Sequence, residues 1–189
     1  MAVTQYLIKN GAVQSGYTFT NSSYSNPGTI AENSGDTIYG FTTNSDTGDY
    51  RQFTAGSGSV SNNRNSIYYL SSPTSLSLTG WQRLKVTWYA DANSTTNHLR
   101  LFIWKSSNSS LIDGTSGTNY AYVTAPTSSG TSTITLTSTL ISNCTKLSIV
   151  LRYISREMNG YIKDLWLERD NYTYTVSYAN GGHGTAPAS

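Results

Sequence analysis

The chain is short of almost everything that would support a helical, membrane-spanning or disulfide-stapled fold. One of its 189 residues is a cysteine, Cys144, so an intrachain disulfide framework is excluded. Its bland role is that of a small half-buried residue beside a strand. Charged residues make up 12%, about half the share in an ordinary soluble domain. Ala, Leu, Glu and Lys are too scarce for a helical bundle or coiled coil. No apolar run approaches the roughly 20 residues a helix needs to cross a bilayer, so membrane insertion is not expected. Basic residues such as Lys9, Arg51, Arg64, Arg83, Arg100 and Lys146 are scattered. The net charge of +2 therefore forms no phosphate-tracking stripe, and nucleic acid is not an expected partner. Met1 to Tyr6 has neither a basic nor a long apolar segment, so no secretory signal is read there. Catalytic motifs are missing too. No Gly-x-Ser-x-Gly, His-Glu-x-x-His or phosphate-loop pattern occurs, and His98 and His183 lie far apart. Glu157 and Asp164 flank one hairpin, but most acids sit in turns, and an enzyme is not expected.

Ser, Thr and Asn fill the gap, at roughly 38% of the chain, with 15 Tyr and 4 Trp. Low charge with abundant aromatics is the opposite of a solvated disordered chain. Short alternating or β-branched runs recur between turn residues. Tyr6 to Lys9 leads into Asn10-Gly11, the strongest hairpin pair, and then Ala12-Val13. Strands are predicted at Tyr17 to Thr20, Thr37 to Thr43, Tyr50 to Thr54 and Ser66 to Leu70. Further ones are predicted at Arg83 to Ala90, Leu99 to Trp104, Tyr120 to Val123, Ser132 to Thr137, Lys146 to Ile154 and Tyr161 to Glu168. Asn159-Gly160 reads as the turn into the last of these, and residues 138–143 as a single helical turn. About ten short strands without interleaved helices indicate an all-β fold, an antiparallel two-sheet β-sandwich of jelly-roll type. Residues 1–169 are expected to form it. Residues 170–189 are read as an extra strand and a Gly/Pro/Ala linker, or the start of a further module.

Parity on the strand at Leu99 to Trp104 sends Leu99, Leu101 and Ile103 to the core and His98, Arg100, Phe102 and Trp104 outward. An aromatic plane beside a planar guanidinium suits a sugar, whose C–H face stacks on a ring while its hydroxyls meet fork donors. Tyr89 is expected to join this stripe from the preceding strand. The competing reading buries the stripe against a neighbouring subunit or under the loop 106–119. Tyr120 and Tyr122 form a second candidate surface. Asn44, Asp46 and Asp49 have the oxygen spacing of a Ca²⁺ loop with Gly48 for the turn, but the closing bidentate Glu is missing and an Asx-rich turn explains them as well. No cofactor is expected beyond that Ca²⁺ candidate.

Two segments resemble jelly-roll domains of the carbohydrate-binding-module and galactose-binding type. One is Leu78-Thr79-Gly80-Trp81-Gln82-Arg83-Leu84-Lys85-Val86, and the other is Tyr161-Ile162-Lys163-Asp164-Leu165-Trp166-Leu167-Glu168. Lys163 stands where the family pattern has the first of two acids, which counts against the calcium often held near that strand. The same segments look like domains of phage tail, baseplate and head-fibre proteins. Residues 172–189, with Asn180-Gly181-Gly182 and Gly184-Thr185-Ala186-Pro187, resemble the start of a glycine-rich repeat of Gram-positive surface proteins.

These resemblances imply a non-catalytic virion protein assembled in the host cytoplasm. Its partners would be other virion subunits, with a homotrimer as the guess, and cell-surface polysaccharide. The alternative is a bacterial adhesin or carbohydrate-binding module cut from a longer extracellular chain. A glycan-cleaving enzyme is the third class.

Overall fold

The computed structural model describes residues 1–25, 42–43, 50–54, 64–95, 97–105, 120–153 and 158–171. The Ca²⁺ candidate Asn44, Asp46 and Asp49, the loop 106–119, Glu157 and the segment 172–189 lie outside the described residues.

The expected all-β, two-sheet antiparallel sandwich is what the chain forms. Its strands are β1 (Val3–Lys9), β2 (Ala12–Val13), β3 (Thr18–Ser25), β4 (Thr42–Thr43), β5 (Arg51–Thr54) and β6 (Arg64–Ser72). There follow β7 (Arg83–Ala90), β8 (His98–Trp104), β9 (Tyr120–Thr124), β10 (Gly130–Thr135), β11 (Lys146–Tyr153) and β12 (Asn159–Arg169). One short helix, α1 (Ser138–Asn143), joins β10 to β11. The first sheet runs β10-β7-β12-β1-β2, with β5 also on β12 and β4 on β5; the second runs β3-β6-β11-β8-β9. All pairings among the described residues are antiparallel.

Alternation builds the core. On β7, Leu84, Val86, Trp88 and Ala90 are buried while Arg83, Lys85, Thr87 and Tyr89 are half-buried on the other face. From the opposite sheet come Leu99, Leu101 and Ile103 on β8 and Leu147, Ile149 and Leu151 on β11, in one continuous cluster with them. Each such aliphatic side chain contributes about 1.5–3 kcal/mol by leaving water. Trp88 fits this apolar layer because its indole Nε1 donates to Ser132 Oγ on β10 at 2.9 Å, leaving no buried donor unpaired. At one end of the sandwich, Thr137 caps α1 by accepting the Leu140 N–H on its side-chain oxygen. Leu140 is buried there, and Cys144, at the C-cap, is fully buried rather than half-buried beside a strand.

The 11-residue strand β12 organises the first sheet. β7 follows one edge, while β5 takes Asn159–Ile162 and β1 takes Leu165–Arg169 on the other. Its ladder with β7 is shifted between Ile162 and Asp164, so Ile162 and Leu165 both reach the core although parity would separate them. The Asn10-Gly11 turn docks beside that bulge. Asn10 at φ 48° and Gly11 at φ 71° give the left-handed pair of a two-residue hairpin loop. The Gly11 N–H donates to the Lys163 carbonyl at 2.8 Å, the Asn10 N–H to Asp164 Oδ1 at 2.9 Å, and Arg51 Nε to the Gly11 carbonyl at 2.7 Å.

Asn159-Gly160 is not the turn that its residue types suggest. Both residues are paired in β12, Asn159 with Thr54 and Gly160 with Phe53 and Ala90. Leu76 and Leu78, by contrast, are buried from a segment that pairs with no strand.

Candidate functional site

The outer face of the second sheet carries a second apolar cluster, separate from the core. Ile67 on β6, Val150 on β11 and Phe102 on β8 are buried in it, with Tyr69, Trp104 and Tyr120 packed against them. β8 is loaded on both faces: its core row is Leu99, Leu101 and Ile103, and its outer row is Arg100, Phe102 and Trp104. The sequence-predicted parity of the stripe therefore matches the placement of these three.

Edge strand β9 completes the surface. Thr124 pairs with Arg100, Tyr122 with Phe102 and Tyr120 with Trp104. The rings of Tyr122 and Phe102 lie 5.3 Å apart, those of Tyr120 and Phe102 6.3 Å. Tyr120 and Tyr122 stand 6.2 Å apart with planes only 10° from parallel. Arg100 lies over the Tyr122 ring at 4.6 Å, and its Nε donates to Thr124 Oγ1 at 3.2 Å. Two neighbouring contacts thus fix the guanidinium plane. Tyr122 is 44% exposed, the one large aromatic so open among the described residues, whereas Phe102 beneath it is only 3% exposed.

Among the described residues, two buried polar atoms on this face have no hydrogen-bond partner: Trp104 Nε1 and Ser148 Oγ. Ser148 lies on β11 directly opposite Phe102. An unpaired buried polar atom costs about 1–3 kcal/mol, so the contrast with the satisfied indole of Trp88 is informative.

Other candidates fall elsewhere. His98 has outward parity but is 2% exposed, and its Nδ1 is 3.0 Å from the Ser94 carbonyl in the preceding turn. It is a buried residue of that turn, not part of the platform. Tyr120 and Tyr122 are not a second surface; they flank Phe102 and Trp104 on the same one. Tyr89 does not join it. β7 belongs to the first sheet, where Tyr89 stacks on Tyr161 at 4.4 Å and meets the edge of Tyr50 at 5.4 Å, on the opposite side of the sandwich. Burial, with Tyr50 and Asp91 nearby, pushes the Tyr89 phenol up. Parity reasoning missed Tyr69, Ser148 and Val150 as members of the face. The signal available was Val150, an apolar residue at an outward position of β11.

Among the described residues no group of three His, Cys, Asp or Glu side chains comes together in a metal-ligating cluster. Asp164 accepts the Asn10 N–H, Asp91 accepts from Asn159, and Glu168 is held by Arg83, Lys85 and Trp166. No helix among the described residues is long and apolar enough to cross a membrane.

No family model matches the sequence, and no curated protein matches it. Solved structures match in shape. A variant of a family 29 carbohydrate-binding module, complexed with mannohexaose, gives a TM-score of 0.50 at 10% identity, covering 89% of this chain and 92% of that one. Another family 29 module gives 0.47 at 10% identity, covering 89% of both. The family 11 module from Clostridium thermocellum, in complex with a β-1,3-1,4-mixed-linked tetrasaccharide, gives 0.38 at 11% identity over 88% and 87%. The likeness is one of fold, a two-sheet β-sandwich.

Proposed function

We propose that this chain is a non-catalytic module that binds cell-surface polysaccharide through the outer face of β8 and β9. The observation that carries the reading is the ordered platform on edge strand β9. Tyr120 and Tyr122 stand nearly parallel there, and Arg100 is braced by Tyr122 and Thr124. Near-parallel rings offer successive faces for sugar C–H groups, and a braced guanidinium offers donors without a further loss of freedom. Trp104 extends the row on β8. The module-type sandwich agrees with this use.

The parent particle we propose is a phage virion, as a tail, baseplate or head-fibre subunit. A bacterial surface adhesin is the alternative parent. The support is the resemblance of Leu78–Val86 and Tyr161–Glu168 to such domains, together with the low charge and high Ser, Thr and Asn content. Residues 1–169 would be the module and 170–189 the link onward, and the end of β12 at Arg169 supports that boundary. An open platform holds a single sugar chain weakly, so useful adhesion calls for several copies, with a homotrimer as the proposed form. A clean 20.6 kDa particle by mass photometry would remove the oligomer from the proposal.

Affinity electrophoresis against a panel of soluble bacterial and plant polysaccharides tests the binding. Tyr122→Ala and Trp104→Ala should each abolish retardation while circular dichroism stays unchanged. Retardation that survives both substitutions would put the site elsewhere, and absence of any retardation with the unaltered protein would defeat the reading.

A further inference from the structure

We infer that the polysaccharide taken by this face is acidic, with a uronate carboxylate received by the Arg100 guanidinium; the inference rests on the glycan reading above. It comes from an imbalance of charge on this face. The guanidinium carries five N–H groups and no acceptor. Its Nε is engaged by Thr124 Oγ1, and its plane rests on Tyr122, but among the described residues its remaining N–H groups meet neither a hydrogen-bond acceptor nor a carboxylate. Lys146, opposite Trp104 on β11, adds a second cation at the rim, its ammonium donating to the Thr74 carbonyl.

The described carboxylates are all on the other sheet or its margins. Asp164 and Glu168 lie on β12, Asp91 follows β7, and Asp170 follows β12. There Glu168 pairs with Arg83 and Lys85, and Asp170 with Arg83. The outer face of the second sheet thus holds cations without anions among the described residues.

A neutral sugar would leave the charge of this guanidinium unmatched. Each hydroxyl is at once donor and acceptor, so a site shaped for hydroxyls offers both kinds of group. On this face the hydroxyls of Thr124, Tyr120 and Tyr122 stand beside the guanidinium and can serve sugar hydroxyls as donors or acceptors. The charged group among them is a rigid planar fork, which matches a carboxylate through two parallel charge-assisted bonds. Tyr122, whose ring face carries that fork, holds it in place beside the bound sugar.

The test compares alginate, polygalacturonate and hyaluronan, each beside its carboxyl-reduced form, by isothermal titration and affinity electrophoresis with the full chain. At least one acidic polymer should bind roughly ten- to a hundred-fold more tightly than its reduced form, the margin of a charge-assisted hydrogen-bond pair. Added salt should narrow the gap. Arg100→Gln should bring the acidic polymer down to the affinity of the reduced one, and Arg100→Lys should restore part of the difference. Equal affinity for acidic and reduced forms in all three pairs, or an acid preference that survives Arg100→Gln, overturns the inference. Binding of neutral polysaccharides alone also overturns it and leaves the glycan reading standing, whereas binding of neither kind removes both. The comparison within the unaltered protein decides the matter even if a variant fails to fold.

Discussion

Gly160 on β12 and Leu99 on β8 meet across the core so closely that a Cβ on Gly160 would stand 2.8 Å from Leu99 Cδ2 and 3.4 Å from Cδ1 and Cγ. The two sheets touch here with no room for a methyl group between backbone and leucine. Gly160→Ala should therefore destabilise the fold by about 1–3 kcal/mol, the range for overpacking a close-packed core. Leu99→Ala should be costly alone yet partly rescue Gly160→Ala, a coupling that denaturant unfolding of the double-mutant cycle would measure. Additive effects of the two substitutions would count against the contact.

Glu168 predicts an acid limb in stability. Burial works against its ionisation, but hydrogen bonds from Trp166, Arg83 and Lys85, with the Lys85 charge, outweigh burial and hold its pKa below the usual glutamate value. A depressed folded-state pKa means a contribution fully present above the unfolded-state pKa and lost as pH falls through the folded one. Denaturant unfolding from neutral to strongly acid pH should show stability falling across that window, and Glu168→Gln should flatten the fall. An unchanged pH profile in the variant would exclude this network as a source.

Ser148→Ala should leave stability unchanged or raise it by up to about 1–2 kcal/mol. The hydroxyl is fully buried and unpaired, so deleting it removes a desolvation cost and breaks no bond. A loss above about 1 kcal/mol in thermal unfolding would mean that the hydroxyl is bonded in solution.

Cys144 should be inert in the native protein. Burial pushes its thiol up, and the opposing charge of Lys105 does not reverse that, so little thiolate forms. Ellman's reagent should react slowly with the folded chain and rapidly with one equivalent once denaturant is added. Fast native reaction would require α1, whose C-cap is Cys144, to open readily.

Much of the local structure could be read from residue order. β7 alternates without a break because Leu84, Val86, Trp88 and Ala90 fall at every second position. Asn10-Gly11 turns because both residues tolerate positive φ. Gly160 misled because its residue type is explained equally by a turn and by close approach of another backbone or side chain. The choice depends on Leu99, some 60 residues away in sequence. The outer row Arg100, Phe102 and Trp104 followed from parity, but its continuation into Tyr120 and Tyr122 did not, because the β8–β9 ladder joins strands separated by residues 105–119.

The sequence by itself determined the all-β class, the antiparallel alternation and which side chains share a face in strands without a bulge. These follow from the two-residue period of a strand, a property of its own backbone. Only the tertiary structure decided which faces stand side by side. β7 and β8 are consecutive, yet they enter different sheets, so Tyr89 and Trp104 end on opposite sides of the sandwich while Trp104 and Tyr120 become neighbours. Sheet membership is set by which strand edges find each other's N–H and C=O groups across long stretches of chain, and parity within one strand carries no information about that.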